Sequence, residues 1–139
     1  MSKVCIVTGA SRGLGRGIAK VLAEERSATV YATARSEAAL NDLASSIKGN
    51  TGVIHPVVLD QSDDSAVEKF ITTVAEKEGR IDLLVNSAYG GLTAMTPHFG
   101  KPFWERPISV FDASIDIGLR SAFVSVSYTH LRAHETKAN

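Results

Sequence analysis

The chain has 139 residues, 44% of them hydrophobic, with 15 basic and 15 acidic side chains, an ordinary composition for one globular domain. Zero net charge and the lack of a Lys/Arg-rich run argue against a nucleic-acid partner, and no apolar run is long enough for a membrane span. The amino terminus has no secretory leader, so a cytoplasmic protein is expected, and the single cysteine, Cys5, excludes an internal disulfide.

In chain order, apolar runs of strand length alternate with segments of helical period. A first strand is predicted over residues 3 to 8, with Cys5 a buried, inert thiol, and a helix over 14 to 26. A second strand follows at 28 to 34 and a helix at 37 to 48. The third strand, at 53 to 59, contains Pro56, which cannot donate to a central ladder and so belongs at a sheet edge. The third helix, 63 to 78, carries Val67, Phe70, Ile71, Val74 and Ala75 at helical spacing, and a fourth strand is read at 82 to 87. Residues 89 to 107 hold three glycines and three prolines and read as a long irregular loop of the substrate-contacting kind. Phe103 and Trp104 are expected to pack that loop against the sheet. A fourth helix is expected from 108 to about 125.

This alternation predicts an α/β fold with a doubly wound parallel sheet of order 3-2-1-4 and helices on both faces, since the first two strands lack polar alternation. The stretch "TGASRGLGRG" places Gly9, Gly13, Gly15 and Gly17 within ten residues where the first strand meets the first helix. Glycine inside an element costs about 0.5–1 kcal/mol, which points to a close approach by a ligand. Free N–H groups and the positive helix end suit a pyrophosphate. Gly9 would make the tight turn, Gly13 admit the phosphate and Gly15 allow the helix to pack on the strand, as in Rossmann-type dinucleotide sites. The spacing is G-x3-G-x-G rather than G-x-G-x-x-G.

"TGASRGLG" and "LVNSAYGG", in this order and separation, resemble the cofactor signature and the N-N-A-G signature of classical short-chain dehydrogenases/reductases. "FWERP" and "IGLR" add a likeness to one branch of that family. The resemblance covers about residues 3 to 125 and implies the amino-terminal part of such an enzyme, truncated after the fourth strand and fourth helix. It implies that Thr8, Gly9, Ser11, Arg12, Gly13, Leu14 and Gly15 hold the cofactor, that Asp60 hydrogen-bonds the adenine amine, and that Asn86, Ser87 and Ala88 line the cofactor and steady the sheet beside Thr8. Ser87 stands where the family usually has Asn. Tyr89 stands where it usually has Gly, which narrows the pocket mouth. The second strand ends in "YATARS", with Arg35 and no acid between Thr29 and Ser36. A guanidinium there suits a 2′-phosphate, which favours NADPH/NADP over NAD. Arg12 adds a second positive group, as in NADP-preferring members.

The family's reaction uses a Ser and a Tyr-x-x-x-Lys. None of Tyr31, Tyr89 and Tyr128 has a lysine four residues on, and Gly118 occupies the place of a family Asn. The reading is therefore an NADPH-dependent carbonyl reductase or alcohol dehydrogenase acting on a small carbonyl or alcohol, homo-oligomeric at full length, with this chain inactive alone. A non-catalytic NADPH-binding module or an interaction protein is the alternative. The resemblance also allows an association with the endoplasmic reticulum. No metal site is expected, because His130 and His134 lack a third ligand. "VSYTHLRAHET" resembles the in-frame translation of a transposase-type sequencing adapter, so the domain is placed at residues 1–125 and a non-native tail at 126–139.

Overall fold

The computed structural model describes residues 1–49 and 52–135, with side chains as far as 131. β1 (Val4–Thr8) is buried along its whole length because both of its faces are apolar. Val4 and Ile6 face one side of the sheet, and Cys5 and Val7 the other. Around it run α1 (Gly13–Arg26), β2 (Thr29–Ala34), α2 (Glu37–Ser45), β3 (Val53–Val58), α3 (Asp64–Glu78) and β4 (Leu83–Val85). The four strands are parallel in the order β3-β2-β1-β4, the doubly wound order expected from the sequence.

Local chemistry sets the helix ends. Ser36 accepts from the Ala39 amide (3.3 Å) at the start of α2, and Asp63 from the Ala66 amide (3.0 Å) at the start of α3. α3 stops at Gly79, whose φ of 71° is the left-handed cap. Ala19 and Ala23 of α1 and Leu40 and Leu43 of α2 cover the Cys5 and Val7 face, together with Val30 and Ala32. Val67, Ile71 and Val74 of α3 cover Val4, Ile6 and Tyr31 on the other face.

β3 lies at one edge, as Pro56 requires. The amides of Val53 and Leu59 donate to Ala28 and Ala34 (3.1 and 2.9 Å), so odd-numbered amides point to β2. The missing N–H of Pro56 therefore falls on the outer side. Cys5 is buried, and burial first of all pushes its thiol pKa up, which keeps it in the unreactive protonated form.

Four expectations are corrected, the last of them the helix from 108. The segment from 89 to 107 is not irregular throughout: it holds α4 (Gly91–Met95) and single 3-10 turns at Thr96–His98 and Phe103–Glu105. Phe103 and Trp104 do not pack against the sheet. They are 77% and 72% exposed and meet each other edge to face at 5.3 Å. β4 has three residues instead of six, because the chain turns away after Val85 to bond with Thr8.

The helix expected from 108 is three consecutive pieces, α5 (Ile108–Ser114), a π-helical segment (Ile115–Arg120) and α6 (Ser121–Glu135), which passes Ser125 without a break. Arg120 forks onto Asp64 at the start of α3 with contacts of 2.7 and 2.5 Å. Ser125, buried, accepts from Gln61 (3.3 Å). Tyr128 packs against the α3 face, and a hydrogen bond to Glu68 raises its pKa first of all.

Asp82 pins the start of β4. Its carboxylate accepts from Arg80 Nε and Nη2 and from the Val4 amide, each at 2.8 Å, and its own amide donates to the Val4 carbonyl (2.8 Å). The Arg80 guanidinium, then the Val4 amide, hold its pKa down from 3.8 to about 2. A folded value below the unfolded one means stability that is full above the unfolded pKa and lost as pH falls through the folded one. The difference in urea midpoint between the wild-type chain and Asp82→Asn should therefore be constant above about pH 5 and shrink towards zero near pH 2.

Candidate functional site: a glycine-loop cradle

β1 ends at Thr8, and the chain enters α1 through residues 9 to 12. Gly9 has φ +65°, and a Cβ there would come within 2.7 Å of the Ala88 backbone and the Ser87 carbonyl. Only glycine can therefore turn the chain here with the β4 exit packed against it. At Gly15 a Cβ would run into the Gly9 carbonyl oxygen, so α1 sits directly on the loop. Gly13 is different: φ is +59°, yet a Cβ would meet no atom within 4 Å. Its glycine serves the backbone conformation and leaves the loop's outer side clear.

Thr8 ties the two strand ends together. Its Oγ1 accepts from the amides of Ser87 (3.1 Å) and Ala88 (3.2 Å) and donates to the Val85 carbonyl (3.5 Å). Ala10, which the sequence reading passed over, is fully buried, and its amide donates to the Thr33 carbonyl (2.9 Å). A small side chain among glycines was the available signal.

At the start of α1 no side chain caps the helix and its first turn contains no acid. Ser11 is half-buried, and Arg12, Gly13 and Leu14 are exposed. The free amides and the positive helix end fit an anionic group such as a pyrophosphate. The Arg12 guanidinium reaches across the loop to Thr93 Oγ1 on α4 (3.4 Å).

On the other side of the loop, Arg35 directly follows β2 and is exposed. Asp60 lies two residues beyond β3, where its Oδ1 accepts from the Ser62 amide (2.9 Å) and hydroxyl (2.7 Å). Those two hydrogen bonds, with a smaller contribution from the charge of Arg35, lower its pKa and keep it an ionised acceptor. Asn86 is exposed and Ser87 and Ala88 are half-buried at the end of β4. The sheet thus gathers Thr8, residues 9 to 15, Arg35, Asp60 and residues 86 to 88 at the carboxyl ends of its strands. Among the described residues, no cluster of three or more His, Cys, Asp or Glu could hold a metal, and no helix is long and apolar enough to cross a membrane.

A parallel sheet in this order with a glycine loop at its β1/β4 switch point defines a Rossmann-type nucleotide-binding fold. More narrowly, the chain belongs to the short chain dehydrogenase family, whose model matches residues 3–135. Dehydrogenase/reductase SDR family member 1 of Mus musculus is 42% identical over 127 residues, covering 91% of this chain and 40% of that protein. The Homo sapiens protein of the same name gives the same identity and coverage, so the chain spans well under half of these relatives. Among solved structures, a metagenomic short-chain oxidoreductase in complex with NADP has a TM-score of 0.77 at 29% identity, covering 95% of this chain and 57% of that one. The alcohol dehydrogenase of the archaeon Thermococcus sibiricus, complexed with 5-hydroxy-NADP, has a TM-score of 0.79 at 26% identity, covering 98% and 55%.

The two left-handed glycines should respond differently to a methyl group. Gly13→Ala should cost about 1–2 kcal/mol, the left-handed penalty alone, whereas Gly9→Ala adds the backbone collision and should cost more than about 3 kcal/mol. Urea unfolding of the two variants measures both.

Proposed function

We propose that this chain is the cofactor-binding part of an NADP-dependent short-chain oxidoreductase, a carbonyl reductase or alcohol dehydrogenase whose substrate is a small carbonyl or alcohol. The observation that carries NADP over NAD is the end of β2, where Arg35 is exposed and no carboxylate occurs from Thr29 to Ser36. A guanidinium pairs with a 2′-phosphate in a charge-assisted fork, while a carboxylate would repel it. The two NADP-containing relatives support the same choice.

In this reading Gly9, Ser11, Arg12, Gly13, Leu14 and Gly15 hold the pyrophosphate at the start of α1. Arg35 holds the 2′-phosphate, Asp60 accepts from the adenine amine, and Thr8 with Asn86, Ser87 and Ala88 lines the second half. The bound cofactor supplies the hydride. The chain's residues orient it and provide the anionic cradle. With no tyrosine followed four residues on by lysine, these 139 residues lack the family's proton donor, and carbonyl turnover by this chain should stay at the uncatalysed background in an NADPH-absorbance assay.

Binding tests the cofactor assignment separately. Arg35→Glu should weaken NADPH by about ten- to a hundredfold, the worth of a charge-assisted pair, and change NADH affinity far less, as read by calorimetric titration. Equal affinity of the unmodified chain for NADPH and NADH would falsify the NADP assignment.

A further inference from the structure

A dinucleotide lying across the β1/β4 switch point places one half over β2 and β3 and the other over the exit from β4. Arg35 and Asp60 mark the first half. The exit runs through Asn86, Ser87 and Ala88, and the next residue is Tyr89, which is 51% exposed.

Despite that exposure, the Tyr89 ring has a fitted seat. A Cβ at Gly118 would lie 3.2 Å from its Cδ2, close enough that the ring would have to shift by a few tenths of an ångström, and 3.5 Å from its Cε2, an ordinary contact. A Cβ at Gly91 would collide with the phenol oxygen, with Cζ and with Ser114 Oγ. The Tyr89 hydroxyl and Ser114 Oγ are 3.2 Å apart, and Ser114 donates its single proton to the Val110 carbonyl (2.8 Å). The phenol must then donate to Ser114, which leaves its own lone pairs as acceptors. Gly118 belongs to the π-helical segment, a feature that recurs at functional sites. Arg120 holds that segment to α3 through Asp64.

We propose that Tyr89, seated on Gly91 and Gly118 and anchored by Ser114, is a wall of the nicotinamide half-site, and that glycine at 118 gives its ring room. The wall offers an aromatic surface and an acceptor oxygen. It also fills the space a side chain at 118 would need, so Tyr89 replaces whatever that side chain could present. This inference rests on the reading of the chain as an NADP binder.

The test compares two ligands on the 139-residue chain by calorimetry: adenosine 2′,5′-bisphosphate, which carries only the adenosine half, and NADPH. Tyr89→Ala should weaken NADPH by about three- to tenfold, the worth of an aromatic contact, and leave the bisphosphate unchanged. Tyr89→Phe, which keeps the ring, should stay within about twofold of wild type for NADPH. Gly118→Asn should act like Tyr89→Ala by displacing the ring and should have no further effect when combined with it. A variant that fails to fold loses the bisphosphate as well, so the ratio of the two affinities is read. Equal effects on both ligands in a Tyr89→Ala chain whose circular dichroism matches that of the unmodified chain, no effect on either, or additive effects of the two substitutions would overturn the proposal. Failure of the unmodified chain to bind the bisphosphate would overturn the cofactor reading itself and this inference with it.

Discussion

The carboxyl ends of β1 and β4 approach until backbone meets backbone, and the site depends on that contact. Gly9 lies against Ala88 and Ser87 with no room for a single methyl group. The Thr8 hydroxyl holds the same junction with its two amide acceptances and one donation. α1 is set by it in turn, since Gly15 rests on the Gly9 carbonyl. The direction of the helix end is therefore decided by main-chain packing. Native interiors are close-packed and transmit strain, so a change at the junction displaces the whole cradle.

Much of this could be read from the residues. Unbroken apolar runs at β1 and β2 meant burial on both faces, and Pro56 meant an edge, which together set the strand order. The glycine loop was legible because each glycine answers a local demand of turn or packing. The arrangement around Tyr89 was not, because it depends on contacts with Ser114 and Gly118, which lie 25 and 29 residues further on. The same holds for Phe103 and Trp104: their apolar character suggested burial, but prolines on either side confine them to a single 3-10 turn, where they find each other instead of the sheet. The short β4 escaped notice because an apolar run does not announce where its last residues leave the ladder for a threonine hydroxyl.

The cradle divides its labour. In the proposed function, anion binding falls to backbone amides and the positive end of α1, which no side chain caps. In the same proposal, discrimination falls to side chains on the flank of Arg35 and Asp60, while the inference about Tyr89 puts an aromatic wall on the other. Asp60 is held ionised chiefly by Ser62 and only secondarily by Arg35.

Pro56 also bears on whether a further strand could pair with this edge. The amides of β3 that point outward belong to even-numbered residues, and the central one of these is missing. Ile54 and Val58 are left as the nearest outward donors within the strand, four residues and about 13 Å apart at the rise of a strand. A foreign strand laid alongside would find no continuous ladder to join. One imino acid thus interrupts the row of outward donors on this edge.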